Sequence, residues 1–193
     1  MGKKNIAIFA SGSGSNAEAL VNYFAHHADI EVVLILSNRP NAYVLTRAQK
    51  LSINSQVFNR SQFLKGEVLE TLVERGIDYI VLAGFLWLVP KDLILAYRNK
   101  IINIHPSLLP KYGGKGMYGN HVHQAVLDAE EPNSGITIHL VDEIYDNGRI
   151  LCQKKLNVDR TDTAEKLAQK IHKLEHEFFP KTVEEYILQD RAN

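Results

Sequence analysis

Short apolar runs alternate with helical patterns through the first half of the chain, and this alternation limits the fold more than any other feature. Lys4–Ala10 is an apolar run that halts at a Ser-Gly cluster, and Ile30–Leu36 is a second, rich in β-branched residues. Tyr79–Ala83 ends at Gly84, and Lys100–Ile104 stops at His105-Pro106. Helical patterns fall at Ser15–His26, Ala42–Leu51 and Ser61–Arg75, the last two bracketing a weaker strand at Ser55–Phe58. A strand that is apolar on both faces needs cover on both, and helices at this spacing supply it. The pattern therefore predicts βαβ units and a largely parallel sheet.

The second half reads differently. Gly135–Val141 and Arg149–Lys155 look like two strands joined through the acidic turn Asp142–Gly148, a hairpin-like addition to the sheet. A long helix is predicted to start near Asp162, taken as its N-cap with Glu165 three residues on. Leu167, Ile171, Leu174 and Phe178 mark its buried face, and Pro180 is expected to kink or restart it. With 193 residues, 45% of them hydrophobic, the chain can bury about 70% of its extended surface. The expected fold is a Rossmann-like open α/β sheet, mostly parallel with an antiparallel C-terminal strand, in a single three-layer domain over residues 1–193.

Charge and cysteine content exclude several classes of function. Lys and Arg number 22 against 22 Asp and Glu, a formal charge of zero, and the short basic clusters are scattered. A nucleic-acid partner is not expected, because gripping a phosphate backbone needs a cationic face. The longest uncharged apolar run, Tyr79–Val89, falls far short of the ~20 residues of a membrane helix. No signal-peptide core is seen at the start, and a lone cysteine, Cys152, supports neither a disulfide framework nor a cysteine metal cluster. The reading is cytoplasmic, with no membrane and no metal; His121-Val122-His123 has no ligand partner at metal spacing.

The loop after the first apolar run, Ser11-Gly12-Ser13-Gly14-Ser15-Asn16-Ala17, formally meets the dinucleotide pattern through Gly12, Gly14 and Ala17. A ribose-binding carboxylate should then follow the second strand, but that strand runs into Ser37-Asn38-Arg39, so a dinucleotide is disfavoured. A phosphate-binding Walker loop is absent. What fits is one phosphate monoester, held by backbone N–H groups, hydroxyls and a helix N-terminus. An unoccupied strand-to-helix turn is the alternative on this loop alone.

Polar residues stand where a core should be apolar. Asn103 and His105 share one face of a strand end, and ligands of open α/β sheets bind at strand C-terminal ends. Thr137 and His139 share the polar face of another strand, followed by Asp142, Glu143 and Asp146. An amide donor for an oxyanion, an imidazole and a carboxylate together suit acyl transfer to an amine. A carboxylate beside His105 is expected to raise its pKa from ~6.5. Gly113, Gly114, Gly116 and Gly119 form a loop that could act as a lid or be merely long.

The stretch Asn103-Ile-His-Pro-Ser-Leu-Leu-Pro-Lys111 resembles the signature of the folate-dependent formyltransferases, and the whole chain is similar to the glycinamide ribonucleotide transformylase family. The Ser11–Asn16 loop, Ala83-Gly84-Phe85-Leu86 and the Asp142–Gly148 turn fit in order. The resemblance implies formyl transfer from 10-formyltetrahydrofolate, a co-substrate, to the amine of glycinamide ribonucleotide in purine synthesis. It implies that Asn103 stabilises the formyl oxygen, His105 stabilises or protonates the tetrahedral adduct, Asp146 holds His105 charged and assists proton removal, and His139 supports them. Gly12, Ser13, Gly14, Ser15 and Asn16 would take the phosphate. Glu175, on the margin of the last helix's apolar face, would contact the ribose with His172. Leu86, Trp87 and Leu88 would line the folate site, with Val141, Asp142, Glu143 and Asp146 closing it. By the same resemblance residues 1–100 form the nucleotide-binding half and residues 101–193 the catalytic and folate half, acting on small molecules as a monomer or homodimer.

Three positions depart from the family pattern: Asn147 in the acidic turn, Trp87 where Arg is common, and His172 in place of a frequent Gln. The Tyr112–Asn120 loop is also a few residues longer than in many relatives. Sibling enzymes acting on methionyl-tRNA, formyltetrahydrofolate itself or amino sugars fit less well, on charge, length or the monophosphate loop. A nucleotide-sensing module without chemistry is the reading from another class.

Overall fold

A computed structural model describes residues 2–192. The chain divides into two compact units, the first ending at Ile102 and the second beginning at Asn103.

In the first unit, β1 (Lys4–Phe9), β2 (Ile30–Ser37), β3 (Asn54–Val57) and β4 (Tyr79–Leu82) lie in the order β3-β2-β1-β4, every pairing parallel. Ile6, Ala7, Ile8 and Phe9 are fully buried, and so is the Tyr79–Leu82 run, as strands covered on both faces must be. Helices α1 (Ser15–Phe24) and α2 (Tyr43–Lys50) pack beside β2. The helical pattern at Ser61–Arg75 proves to be two helices, α3 (Arg60–Leu64) and α4 (Glu67–Glu74). Gly66, left-handed at φ 87°, divides them, and the Asn59/Gln62 capping box starts the first. A short helix not read from the sequence, α5 (Lys91–Ala96), follows Pro90. It is too short to show a helical period.

In the second unit, the end of β5 (Ile101–His105) precedes α6 (Asn120–Asp128), β6 (Asn133–Leu140), β7 (Ile150–Asn157) and α7 (Ala164–Ala192). β6 and β7 pair antiparallel, with a register shift at Ile138/His139. α7 packs on α6, β6 and β7. Three details of the last helix differ from expectation. Its cap is Thr163, whose Oγ1 accepts from Lys166 N at 3.3 Å, while Asp162 instead takes Asp159 N and Lys170 Nζ. Its buried stripe runs Leu167, Ile171, Glu175, Phe179, Val183, Ile187, leaving Leu174 and Phe178 half-buried on the flank. Helix α7 also runs on through Pro180, with Phe179 and Val183 buried on either side of it. Among the described residues no helix is long and apolar enough to cross a membrane.

Candidate functional site

In the second unit, the pleat of β5 turns Asn103 and His105 to one side, and β6 presents His139. His139 Nδ1 lies 2.8 Å from its neighbour's carbonyl, Leu140 O, so that nitrogen carries the proton and donates. Its Nε2 must then accept, and it does so from Asn103 Nδ2 at 3.0 Å. One hydrogen of the Asn103 amide is thereby committed, which fixes the amide's orientation and leaves its second hydrogen for an incoming oxygen.

His105 is oriented by similar logic. Its Nε2 donates to Tyr112 O at 2.7 Å, so Nδ1 faces Asp146 Oδ2 at 3.5 Å. Asp146 Oδ1 lies 3.7 Å from His139 Nε2, and Gly114 N–H donates to Oδ2 at 2.8 Å. Asp146 itself holds a left-handed backbone, φ 54°. The four side chains Asn103, His105, His139 and Asp146 are thus brought together. Because neutral His105 offers a lone pair to the carboxylate, a proton arriving between the two is favoured there.

The electrostatics overturn one expectation. Burial lowers the His105 pKa below its ordinary value, outweighing the upward pull of Asp146, the Tyr112 carbonyl and Glu175. The imidazole is 4% exposed, and losing hydration costs its charged form more than the neighbouring carboxylate returns. His105 is therefore neutral near pH 7 rather than held charged. For Asp146, burial pushes upward but is overcome by the neighbouring His139 and His105 rings and by the Gly114 N–H, so its carboxyl lies below the usual range. It is the ionised member of the pair.

Thr137, on the same face, belongs to the scaffold. Its hydroxyl donates to Ser107 O at 2.7 Å and accepts from Leu109 N at 3.0 Å and Gln153 Nε2 at 3.0 Å. It ties the loop after His105 to the strand. The Tyr112 carbonyl, the Gly114 N–H and Gln153 were not read from the sequence. Backbone groups carry no residue-type signal, although the glycines at 113–119 hinted at a special loop.

On α7, Glu175 occupies the middle of the buried stripe, not its margin, and is 4% exposed. A carboxylate placed there needs a partner. His172 Nδ1 meets its Oε2 at 2.7 Å, and this bond is the first cause of a raised His172 pKa. His172 and Glu175 are therefore a pair. His123, on α6, is buried with its pKa lowered by desolvation, while Glu175 pulls it upward. In the acidic turn, Asp142 accepts from Ile144 N and from Asn147 Nδ2, both at 2.9 Å. Asn147 therefore braces that turn. Val141 is half-buried and Glu143 exposed.

In the first unit, the glycine loop leaves β1 and enters α1. Gly14 caps the helix in the left-handed region, φ 76°, and a Cβ there would lie within 2.9 Å of Val44 Cα. No other residue fits without displacing α2. Gly12 and Ser13 are exposed; Ser15 and Asn16 are half-buried. Ser11 Oγ accepts from Leu86 N at 3.1 Å, joining this loop to the Leu86–Leu88 segment. Trp87 packs on Phe58 and Phe63, each with ring centroids 6.0 Å away, and Arg60 lies 5.7 Å over its face. Leu88 is exposed. The segment therefore sets an exposed leucine beside a half-buried tryptophan of an aromatic cluster. Among the described residues no group of three or more His, Cys, Asp or Glu could hold a metal ion.

The family described as formyl transferase matches residues 4–183. The chain is similar to phosphoribosylglycinamide formyltransferase of Bacillus subtilis, 38% identical over 191 residues and 95% of each chain. It is 37% identical to the chloroplastic phosphoribosylglycinamide formyltransferase of Arabidopsis thaliana over 94% of its own length, spanning 64% of that protein. A solved structure of phosphoribosylglycinamide formyltransferase from Bacillus halodurans superimposes with a TM-score of 0.87 at 36% identity, covering 98% of this chain and 97% of that one.

Proposed function

The chain belongs to the formyl transferase family, and from that premise we propose that it transfers the formyl group of 10-formyltetrahydrofolate to the amine of glycinamide ribonucleotide. The single observation that carries this reading is the clustering of Asn103, His105, His139 and Asp146, with a neutral imidazole facing an ionised carboxylate. Such a set provides one donor for a developing oxyanion and one acceptor for an amine proton.

In this reading the substrate amine attacks the formyl carbon, and the formyl oxygen takes up negative charge against the free Asn103 hydrogen. His139 holds that amide in place. Asp146 and the His105 Nδ1 receive the amine proton between them, and the protonated imidazole then stabilises or protonates the adduct as the bond to the donor nitrogen breaks. The Gly12–Asn16 loop takes the nucleotide phosphate, and Glu175, held by His172, takes the ribose hydroxyls. Leu86, Trp87 and Leu88, with Val141, Asp142 and Glu143, take the folate. In this reading residues 1–100 bind the nucleotide phosphate and add Leu86–Leu88 to the folate site, residues 101–193 carry catalysis, the ribose contacts and the rest of the folate site, and the setting we infer is cytoplasmic.

Purified protein offered 10-formyltetrahydrofolate with glycinamide ribonucleotide, an amino sugar or water alone tests the reaction. Formylated nucleotide is expected; formylated amino sugar, or formate released in water at a comparable rate, would overturn it. Asn103→Ala should lose about 10²–10³ in kcat, as for other oxyanion donors. Asp146→Ala should lose at least as much, and both should keep nucleotide affinity. Near-normal turnover in either variant would remove the assigned roles.

A further inference from the structure

We propose that Arg47 is the positioning residue of the glycine loop, turning its N–H groups outward and cancelling the charge of Glu18 so that the loop accepts a phosphate dianion. The proposal rests on the reading of that loop as the nucleotide's phosphate site and adds a residue outside the loop.

The geometry lies entirely on α1, α2 and the loop between β1 and α1. A trans peptide unit points its C=O and its N–H in opposite directions. Gly12 O accepts from Val44 N at 3.1 Å, and Ser13 O accepts from Arg47 Nε at 2.9 Å. Two consecutive carbonyls are thus turned toward α2. The N–H groups that share those peptide units, on Ser13 and Gly14, must point the other way. Adjacent N–H groups aimed to one side form an anion-binding concavity at a helix N-terminus. The Val44 bond is a backbone contact that survives most substitutions, whereas the Ser13 carbonyl depends on one side chain.

The same guanidinium solves a problem of charge. Glu18 lies in the first turn of α1, where a carboxylate is drawn to the positive helix end and competes with a bound anion for it. A phosphate dianion beside an uncompensated Glu18 would meet a like charge. Arg47 Nη1 is hydrogen-bonded to Glu18 Oε2, pairing that charge within the structure. Tyr43 lies under the guanidinium at 5.1 Å and keeps it flat against α2. A chain whose formal net charge is zero offers an anion no net charge attraction from a distance. Local cancellation of this kind is what the site requires.

The test compares glycinamide ribonucleotide with its dephosphorylated nucleoside in the formyl-transfer assay. Arg47→Gln is expected to raise the nucleotide KM at least tenfold, with the loss in KM and not in kcat, and to change the nucleoside kcat/KM less than twofold. Glu18→Gln should keep or lower the nucleotide KM. The double variant should recover at least threefold over Arg47→Gln alone, because the uncovered carboxylate is gone. Arg47→Lys keeps the charge but not both contacts and should raise the nucleotide KM more than twofold; it carries the test if the Gln variant is poorly folded by circular dichroism. A nucleotide KM within twofold of the parent in folded Arg47→Gln or Arg47→Lys would overturn the proposal. Gly14→Ala separates the two layers: if it raises the nucleotide KM while the Arg47 variants do not, only the role of Arg47 fails. If it too leaves the nucleotide KM unchanged, the phosphate reading of the loop fails with it.

Discussion

At the scale of single residues, burial decides protonation. His105 and His123 both have lowered pKa values, chiefly because desolvation penalises the imidazolium. His172 has a raised one, chiefly through its bond to Glu175. For the first two, the unfolded chain takes up protons before the folded one does, so stability is full above about pH 6.5 and declines as pH falls toward their folded values. His172 acts oppositely, stabilising below about pH 6.5 and losing that contribution as pH rises through its folded value. Below about pH 6.5 the His172 contribution changes no further, so the two buried histidines set a net fall in stability toward about pH 5.5. Urea midpoints across that range should decrease on acidification, less steeply in His105→Asn and as steeply in His172→Asn. A flat or rising profile in the parent protein would contradict the burial of neutral His105 and His123. Residue identity announced Asn103, His105 and Asp146 as chemical groups. It could not announce that the imidazole would be neutral, because that depends on how completely the fold removes water.

Among the elements, α7 shows how far periodicity reaches. Intervals of three and four placed a buried face on Leu167, Ile171, Leu174 and Phe178, and half of that assignment holds. The structure shifts the stripe's centre by one residue at its later members, to Glu175 and Phe179. A helical period leaves two adjacent candidates on any broad apolar face, and packing against β6 and α6 chooses between them. The choice has a measurable consequence. Phe179→Ala, emptying a fully buried site, should cost about 3–5 kcal/mol. Phe178→Ala should cost clearly less, since its ring lies half-exposed with the Lys154 ammonium 4.6 Å from the centroid. Denaturant unfolding distinguishes the two; equal losses would return the stripe to the sequence-based register. Strand β5 was legible because Asn103 and His105 interrupt an otherwise apolar run. Helices α5 and α6 were not, being six and nine residues long beside turns and glycines.

For the molecule as a whole, the balance of 22 basic and 22 acidic residues sets the salt response. In the proposed reading the site cancels one local charge and holds one phosphate, and such a site releases few counterions. Raising sodium chloride from about 50 to about 200 mM should change the nucleotide KM by less than about threefold, against the ~10³–10⁵ loss of a protein that grips many phosphates. A steep dependence would mean an extended cationic surface after all. By itself, the order of residues determined the α/β class, the parallel run β1 to β4, the antiparallel β6–β7 pair and the polar side chains that interrupt apolar strands, because these follow from local periodicity and residue type. Only the tertiary structure decided which nitrogen of His105 and of His139 carries a proton, that Asp146 outlasts its own burial as a carboxylate, and that Glu175 lies inside the stripe with His172 upon it. The first two depend on contacts such as Asn103 with His139, on backbone groups such as Tyr112 O and Gly114 N–H, and on the exclusion of water. The third joins an i,i+3 pair to a helix register that packing against β6 and α6 sets. Neither packing register nor dehydration leaves a mark on residue type or spacing.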